Sequence, residues 1–345
     1  MWHLENSPGR TCLIQGEEFL FFSGYAYLGM NHVKEFTELV KEGIDKYGLL
    51  FPSSRISNTR LELYEEFEKD LSEFTSMEDT VSFSSGFLAG KTIAAILSSY
   101  KNILIAPGTH PAILTNANDQ HTDGNFINWS QKITDSVNSS SDNEFVFICD
   151  SINILTGEIN DLSFLKRIDS TKKLIVLIDN SHGIGLEGIN EQHTMLSLPQ
   201  ANNIEYIISY SLSKALNIQG GAISCSKYFA DKLRQHPNYT GSTAISPSMI
   251  HAYLHSKTLY ASQRKKLFEN ITYFKNKSAD SATLKNTFDL PVFICHKENA
   301  EEYFYNNQII ISSFRYPYSS SPKIDRIIIS ALHTKADIDQ LCSLL

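Results

Sequence analysis

A lysine stands at the exit of an apolar run. The stretch "SYSLSKALNIQGGAIS" covers residues 209–224, where Lys214 follows the hydroxyls of Ser211 and Ser213 and precedes Gly220 and Gly221. The preceding "IEYIIS" has the texture of a buried strand. A lysine in a partly desolvated pocket loses the proton that water would stabilise, and its amine can then attack a carbonyl to form a Schiff base. Such an amine needs partners. "LIVLIDNSHGIGLEG" ends an apolar run on Asp179, with His182 three residues later and glycines at 183, 185 and 188. An aspartate there could hold a cationic ring nitrogen or a metal, or cap a helix. "FSSGFLAG" puts Ser84, Ser85, Gly86 and Phe87 at a helix start, which favours an anion such as phosphate or is a plain N-cap. "APGTHPAI" puts His110 just past another strand, before Pro111.

The elements that would position these residues alternate along the chain. Strands are expected at 80–83, 102–107, 144–150, 173–179, 204–210 and 222–226, with helices at 86–100 and from 110 onward. Several of these strands are continuously apolar, which suggests a parallel sheet covered by helices on both faces. Two amphipathic helices precede them, at 31–47 with Asn31 as cap and at 61–74. A long helix is expected over 248–277, then a smaller α+β unit with strands near 290–296 and 325–331. Thr334 and Asp337 are spaced as a capping pair for a final helix. An α/β sheet binds ligands at the carboxyl ends of its strands. Read there together, the four stretches describe a site for pyridoxal 5'-phosphate. The lysine makes the imine, the aspartate keeps the pyridine nitrogen protonated, a helix start holds the phosphate and a flat side chain stacks on the ring.

The chain resembles the α-oxoamine synthases, fold-type-I pyridoxal-phosphate enzymes that join an acyl-CoA to an amino acid with loss of carbon dioxide. "YAYLGM" is similar to the family's N-D-Y-L-G-L, "YGLLFPSSRIS" to Y-G-x-G-x-x-x-S-R, and "THPAI" to N-H-A-S. "IDNSHGIGLEG" resembles V-D-D-A-H-x-x-G-x-x-G, and "SLSKALNIQGG" resembles T-x-S-K-[AG]-x-G-x-x-G-G. "GSTAISP" is similar to S-T-x-x-P-P, and "DRIIISALHTKADID" to the closing R-x-R-[IL]-x-[LI]-x-A-x-H-T-x-x-D-I-D. The resemblance implies a large, mostly parallel seven-stranded sheet domain flanked by helices, with a smaller α+β domain formed by the C-terminus and the N-terminal segment. The divisions expected are 1–40, 41–240 and 241–345. It implies Lys214 as the imine lysine, Asp179 as the pyridinium partner, His110 as the ring stack and His182 as a donor toward the cofactor's phenolic oxygen. Ser85, Gly86, Phe87 and Ser211 would hold phosphate, and Ser242 or Thr243 would reach the phosphate of a neighbouring subunit in a homodimer. Arg326 and Arg315 match substrate-side arginines. Tyr25 replaces a substrate-contacting asparagine, and Ile154 replaces a serine that touches the cofactor.

The reaction implied is acyl transfer from acyl-CoA to an amino acid; an aminotransferase, or a lyase or aldolase on the same fold, is the alternative that Tyr25 and Ile154 motivate. Bulk composition agrees with a globular enzyme. The 345 residues are 42% hydrophobic and 20% charged. A net charge of −8 argues against a general nucleic-acid partner. Cys12, Cys149, Cys225, Cys295 and Cys342 are scattered without C-x-x-C spacing, so neither a disulfide framework nor a metal site is expected. There is no signal-like start and no long apolar span, and a cytoplasmic location is expected.

Overall fold

A computed structural model describes residues 2–116, 124–186, 198–285, 289–316 and 319–345. The chain opens with a hairpin, β1 (Thr11–Ile14) and β2 (Glu17–Phe22), and two helices, α1 (Lys34–Tyr47) and α2 (Glu62–Thr75). Then come β3 (Asp79–Phe83), α3 (Gly86–Leu97), β4 (Ile103–Ile105), α4 (Phe126–Ser139) and β5 (Glu144–Asp150). A short hairpin, β6 (Ile152–Asn153) and β7 (Glu158–Ile159), precedes β8 (Lys173–Asp179), β9 (Ile204–Ser211) and β10 (Gly221–Cys225). Helices α5 (Lys227–Gln235), α6 (Pro237–Thr240), α7 (Pro247–Leu254) and α8 (Lys257–Lys277) follow. The chain ends with β11 (Leu284–Lys285), β12 (Val292–Cys295), α9 (Ala300–Tyr305), β13 (Ile309–Arg315), β14 (Lys323–Ile328) and α10 (Lys335–Cys342).

Two six-stranded sheets organise these elements. The larger runs β3-β10-β9-β8-β5-β4; β9, β8, β5 and β4 are parallel, while β10 is antiparallel to both its neighbours. The runs Phe145–Cys149 and Leu174–Asp179 are buried throughout, as strands covered on both faces must be. Among the described residues this sheet has six strands, where the resemblance implied seven. The six are those whose apolar runs stand out in the sequence; residues 117–123, in the connection between β4 and β5, lie outside the described residues. The second sheet, β1-β2-β13-β14-β12-β11, joins the two ends of the chain: β2 runs parallel to β13, pairing Leu20 with Ile309 and Phe22 with Ile311.

Two helix expectations change. Asn31 does not cap α1: Met30–His32 form a 3-10 turn, and Val33 occupies the cap position without a side-chain bond. The helix expected over 248–277 is two helices. The chain leaves helical geometry at His255 and Ser256, where His255 Nδ1 competes for the carbonyl of His251 at 2.8 Å. Around Pro111–Ile113 the expected helix is a single 3-10 turn, and 117–119 lie outside the described residues. The Thr334–Asp337 capping box is present, and Asp337 also accepts from Arg10 at 2.6 Å, tying the N-terminal segment to α10.

One buried carboxylate fixes α2 against the large sheet. Glu68 Oε1 accepts from Arg55 Nη2 at 2.9 Å, from the Ser82 backbone N–H at 2.9 Å and from Ser82 Oγ at 2.7 Å. Arg55 lies over the Tyr64 ring, 4.4 Å from its centroid. Removing one member strands the other charge out of water. Glu68→Ala should lower stability by about 3–5 kcal/mol, read as a shifted midpoint in chemical denaturation.

Candidate functional site

Parallel strands in register end at one level, and their last side chains share one cleft. Asp150 of β5 pairs with Asp179 of β8, which pairs with Ser209 of β9. From the other side the cleft is closed by Gly24, Tyr25 and Tyr27 after β2, by Ile152–Leu155 of the small hairpin, and by Phe314, Tyr316 and Arg326 of the second sheet. Lys214, His182 and His110 complete it, and about 820 Å³ of empty space lies within, its open mouth included. The two sheets therefore face each other across the cavity.

Lys214 is partly buried there, and desolvation lowers its pKa to about 8 against the opposing pull of Asp179. Its Nζ lies 2.7 Å from His182 Nε2, and His182 Nδ1 lies 2.8 Å from Tyr27 Oη. Burial pushes the His182 pKa well down, helped by Lys214, and pushes that of the Tyr27 phenol up. A neutral imidazole between two proton carriers has two arrangements. With Lys214 neutral, Tyr27 donates to Nδ1 and Nε2–H donates to Nζ. With Lys214 protonated, Nζ donates to Nε2 and Nδ1–H donates to Tyr27. A protonated amine can only donate and so fixes the tautomer two groups away, whereas a neutral amine can donate or accept and permits either.

Asp179 sits at the end of β8, only 9% exposed, and accepts from the Ser181 N–H at 2.9 Å. Asp150 is held well above the usual carboxylate range by burial and then by the Asp179 charge. One Asp150 oxygen accepts from the His110 backbone N–H at 3.0 Å. His110 Nδ1 accepts from the Ala112 N–H at 3.1 Å, so its neutral ring carries the proton on Nε2. Desolvation lowers the His110 pKa, against Asp179.

Ser85, Gly86 and Phe87 open α3, and Ser85 accepts from the Leu88 N–H as its N-cap. Gly86 is obligatory by contact: a Cβ there would lie 2.6 Å from Ser211 Cβ. Ser211 Oγ in turn bonds Ser213 Oγ at 2.8 Å, next to Lys214. The helix start, the serine pair and the lysine are therefore adjacent. Ser242 and Thr243, between α6 and α7, do not line the cavity of their own chain. Arg326 and Tyr25 line it. Arg315 does not: it is exposed and donates to the Ser321 carbonyl at 2.6 Å. Strand alternation explains this, since Phe314 and Tyr316 point inward and Arg315 between them must point out. Gly188 lies outside the described residues.

Asp150, Tyr27, Phe314 and Tyr316 were not singled out by sequence. Asp150 ends "EFVFICD" as Asp179 ends "KLIVLID", so the strand-end signal was there to read. Tyr27, Phe314 and Tyr316 come from the second sheet and the segment following β2, and only the three-dimensional closure brings them in.

The model of the aminotransferase class I and II family matches residues 18–345. The chain is 26% identical to the 8-amino-7-oxononanoate synthase of Petrotoga mobilis, over 97% of this chain and 90% of that one. It is 27% identical to the enzyme of the same name from Buchnera aphidicola, over 98% and 91%. Among solved structures it is similar to a serine palmitoyltransferase from S. paucimobilis with bound PLP and myriocin, with a TM-score of 0.84, 17% identity and coverage of 100% and 91%. An 8-amino-7-oxononanoate synthase from Francisella tularensis gives a TM-score of 0.69 at 22% identity, over 94% and 96%. Both likenesses concern the fold.

The pKa of Lys214 has a direct readout. Below about pH 8 the amine is protonated and unreactive; above it the amine is free. Labelling of the Lys214 peptide by an amine-directed reagent, followed by mass spectrometry, should rise with a midpoint near pH 8, while exposed lysines rise near their ordinary value of about 10.4.

Proposed function

The chain belongs to the aminotransferase class I and II family, and from that premise we propose that it binds pyridoxal 5'-phosphate and transfers an acyl group from an acyl-CoA to an amino acid, the reaction its sequence motifs imply by resemblance. The observation that carries this is the buried Lys214 amine, its proton affinity lowered, in one cavity with the strand-end carboxylate of Asp179. When bound, this cofactor supplies an aldehyde that takes amines and a protonated ring that draws electrons from the α-carbon.

The residues present fit such a group. Lys214 offers the amine, and Asp179 offers a carboxylate to a ring N–H. His110 offers a flat face, and His182 offers Nε2. The start of α3 offers backbone N–H groups without intrahelical partners at Gly86 and Phe87, beside the Ser211 hydroxyl. In turnover, Lys214 Nζ takes and returns the proton of the amino acid's α-carbon. His182 Nε2 accepts from or donates to that same Nζ, so the amine is re-set without water. Arg326, buried in β14 with Phe314 under its guanidinium at 4.5 Å, receives the amino-acid carboxylate. Tyr25, Ile152, Ile154 and Leu155 give the rest of the wall an apolar character suited to excluding water.

The homodimer and a cytoplasmic location belong to the same proposal. Leu49, Leu50, Ile56 and Phe87 are each more than half exposed, which supports a second copy covering them. Ser242 and Thr243 would then serve the neighbouring cavity. Among the described residues no helix is long and apolar enough to cross a membrane.

Mixing the chain with pyridoxal phosphate should produce a visible absorbance band that Lys214→Ala lacks. Acyl-CoA and a small amino acid should then release CoA. Asp179→Asn should keep cofactor binding and lose turnover by roughly two to three orders of magnitude. Absence of CoA release, with conversion to the pyridoxamine form by an amino acid, would favour an aminotransferase instead.

A further inference from the structure

Two buried donors in the cavity wall have no partner among the described residues: Tyr316 Oη and Arg326 Nε. Both belong to the second sheet, and its register puts them on one surface. Ser312 opposes Arg326 across β13 and β14, and Ser312, Phe314 and Tyr316 share the face of that strand and its continuation. Arg326 lies over the Phe314 ring, 4.5 Å from its centroid, while its Nη1 donates to the Ile154 carbonyl at 3.3 Å. Tyr316 stacks on His110 with ring centroids 5.9 Å apart and planes 18° from parallel. The phenol is thereby fixed in direction by its ring, yet its hydroxyl is given nothing to bond. A buried hydroxyl left unpaired is costly, and such groups are retained where a ligand completes them.

The cavity is also electrically polar. Asp150 and Asp179 end the strands on the large-sheet side, and Arg326 with the phenol faces them from the other. Burial, then Asp150 and Asp179, push the Tyr316 pKa up, so the phenol keeps its proton and can donate at neutral pH. The guanidinium and the phenol together draw a ligand oxyanion to the second wall.

We propose that Tyr316 is a specificity-determining residue whose phenol donates a hydrogen bond to the substrate carboxylate, forming with Arg326 a two-donor receptor that selects amines bearing a carboxylate on the neighbouring carbon. This rests on the functional reading above and adds a contact to it. Loss of the phenol removes one donor and leaves the ring, the stack on His110 and the guanidinium in place.

The test is Tyr316→Phe, loaded with pyridoxal phosphate and titrated by visible absorbance with L-alanine, glycine and L-serine, and with ethylamine as the amine that lacks a carboxylate. The cofactor band should be that of the unsubstituted chain. The dissociation constants of the three amino acids should rise by about ten- to a hundredfold, as expected for losing a hydrogen bond to a charged group, while that of ethylamine stays unchanged. A normal band with amino-acid constants within twofold of the unsubstituted chain, or an equal loss for ethylamine, overturns the assignment of Tyr316 alone. An unsubstituted chain that gives no cofactor band overturns the functional reading and this proposal with it.

Discussion

Lys214 Nζ is withdrawn from water, and a withdrawn ammonium lacks the free energy that solvent would have supplied. Much of the site can be traced to that constraint. The amine can stay buried because its charge is given up near pH 8 and because His182 Nε2 stands 2.7 Å away to share the proton. His182 can do this because Tyr27 satisfies its other nitrogen. Tyr27 is held in turn by the pairing of its carbonyl with the Ala331 N–H, just beyond β14. A proton position in the large-sheet half is therefore linked, hydrogen bond by hydrogen bond, to the closing strands of the chain.

The two sheets divide the labour by charge. The large sheet contributes the amine, the imidazoles and two carboxylates at adjacent strand ends, of which Asp150 is driven toward its protonated form by burial and by Asp179. The smaller sheet contributes Arg326 and the aromatic wall of Phe314 and Tyr316. Neither half is a site alone. Asp150, Asp179, Phe314 and Arg326 hang on paired strands, whose register fixes their spacing, while Lys214, His182 and His110 stand on the connections that follow β9, β8 and β4.

The sequence was most legible where burial is two-sided. The runs ending at Asp150 and Asp179 are unbroken apolar segments, and that ending at Ser211 is largely so; each is a strand at the place its composition indicates. Helix ends were less legible. Asn31 has the residue type of a cap, but the preceding chain turns in 3-10 geometry and leaves Val33 there instead. The break at His255 depends on one side chain reaching its own helix, which periodicity does not report. Arg315 and Arg326 look alike in sequence, and only the alternation of β13 sends the first to the surface while the second is buried in β14. Tyr316 has no local signature, because what marks it is the lack of a partner in a folded cavity.

The parallel pairing of β2 with β13 also has a temporal side. A ribosome releases β2 well before Ile309–Ile311, the strand segment that must lie against it. At typical elongation rates of 5–20 residues per second that interval is on the order of 15–60 s. Throughout it, Leu20–Phe22 present an open β-edge to solvent or to whatever chaperone holds them, while the larger sheet can already be complete. Synthesis thus finishes the wall of Phe314, Tyr316 and Arg326 only after the amine-bearing wall is made.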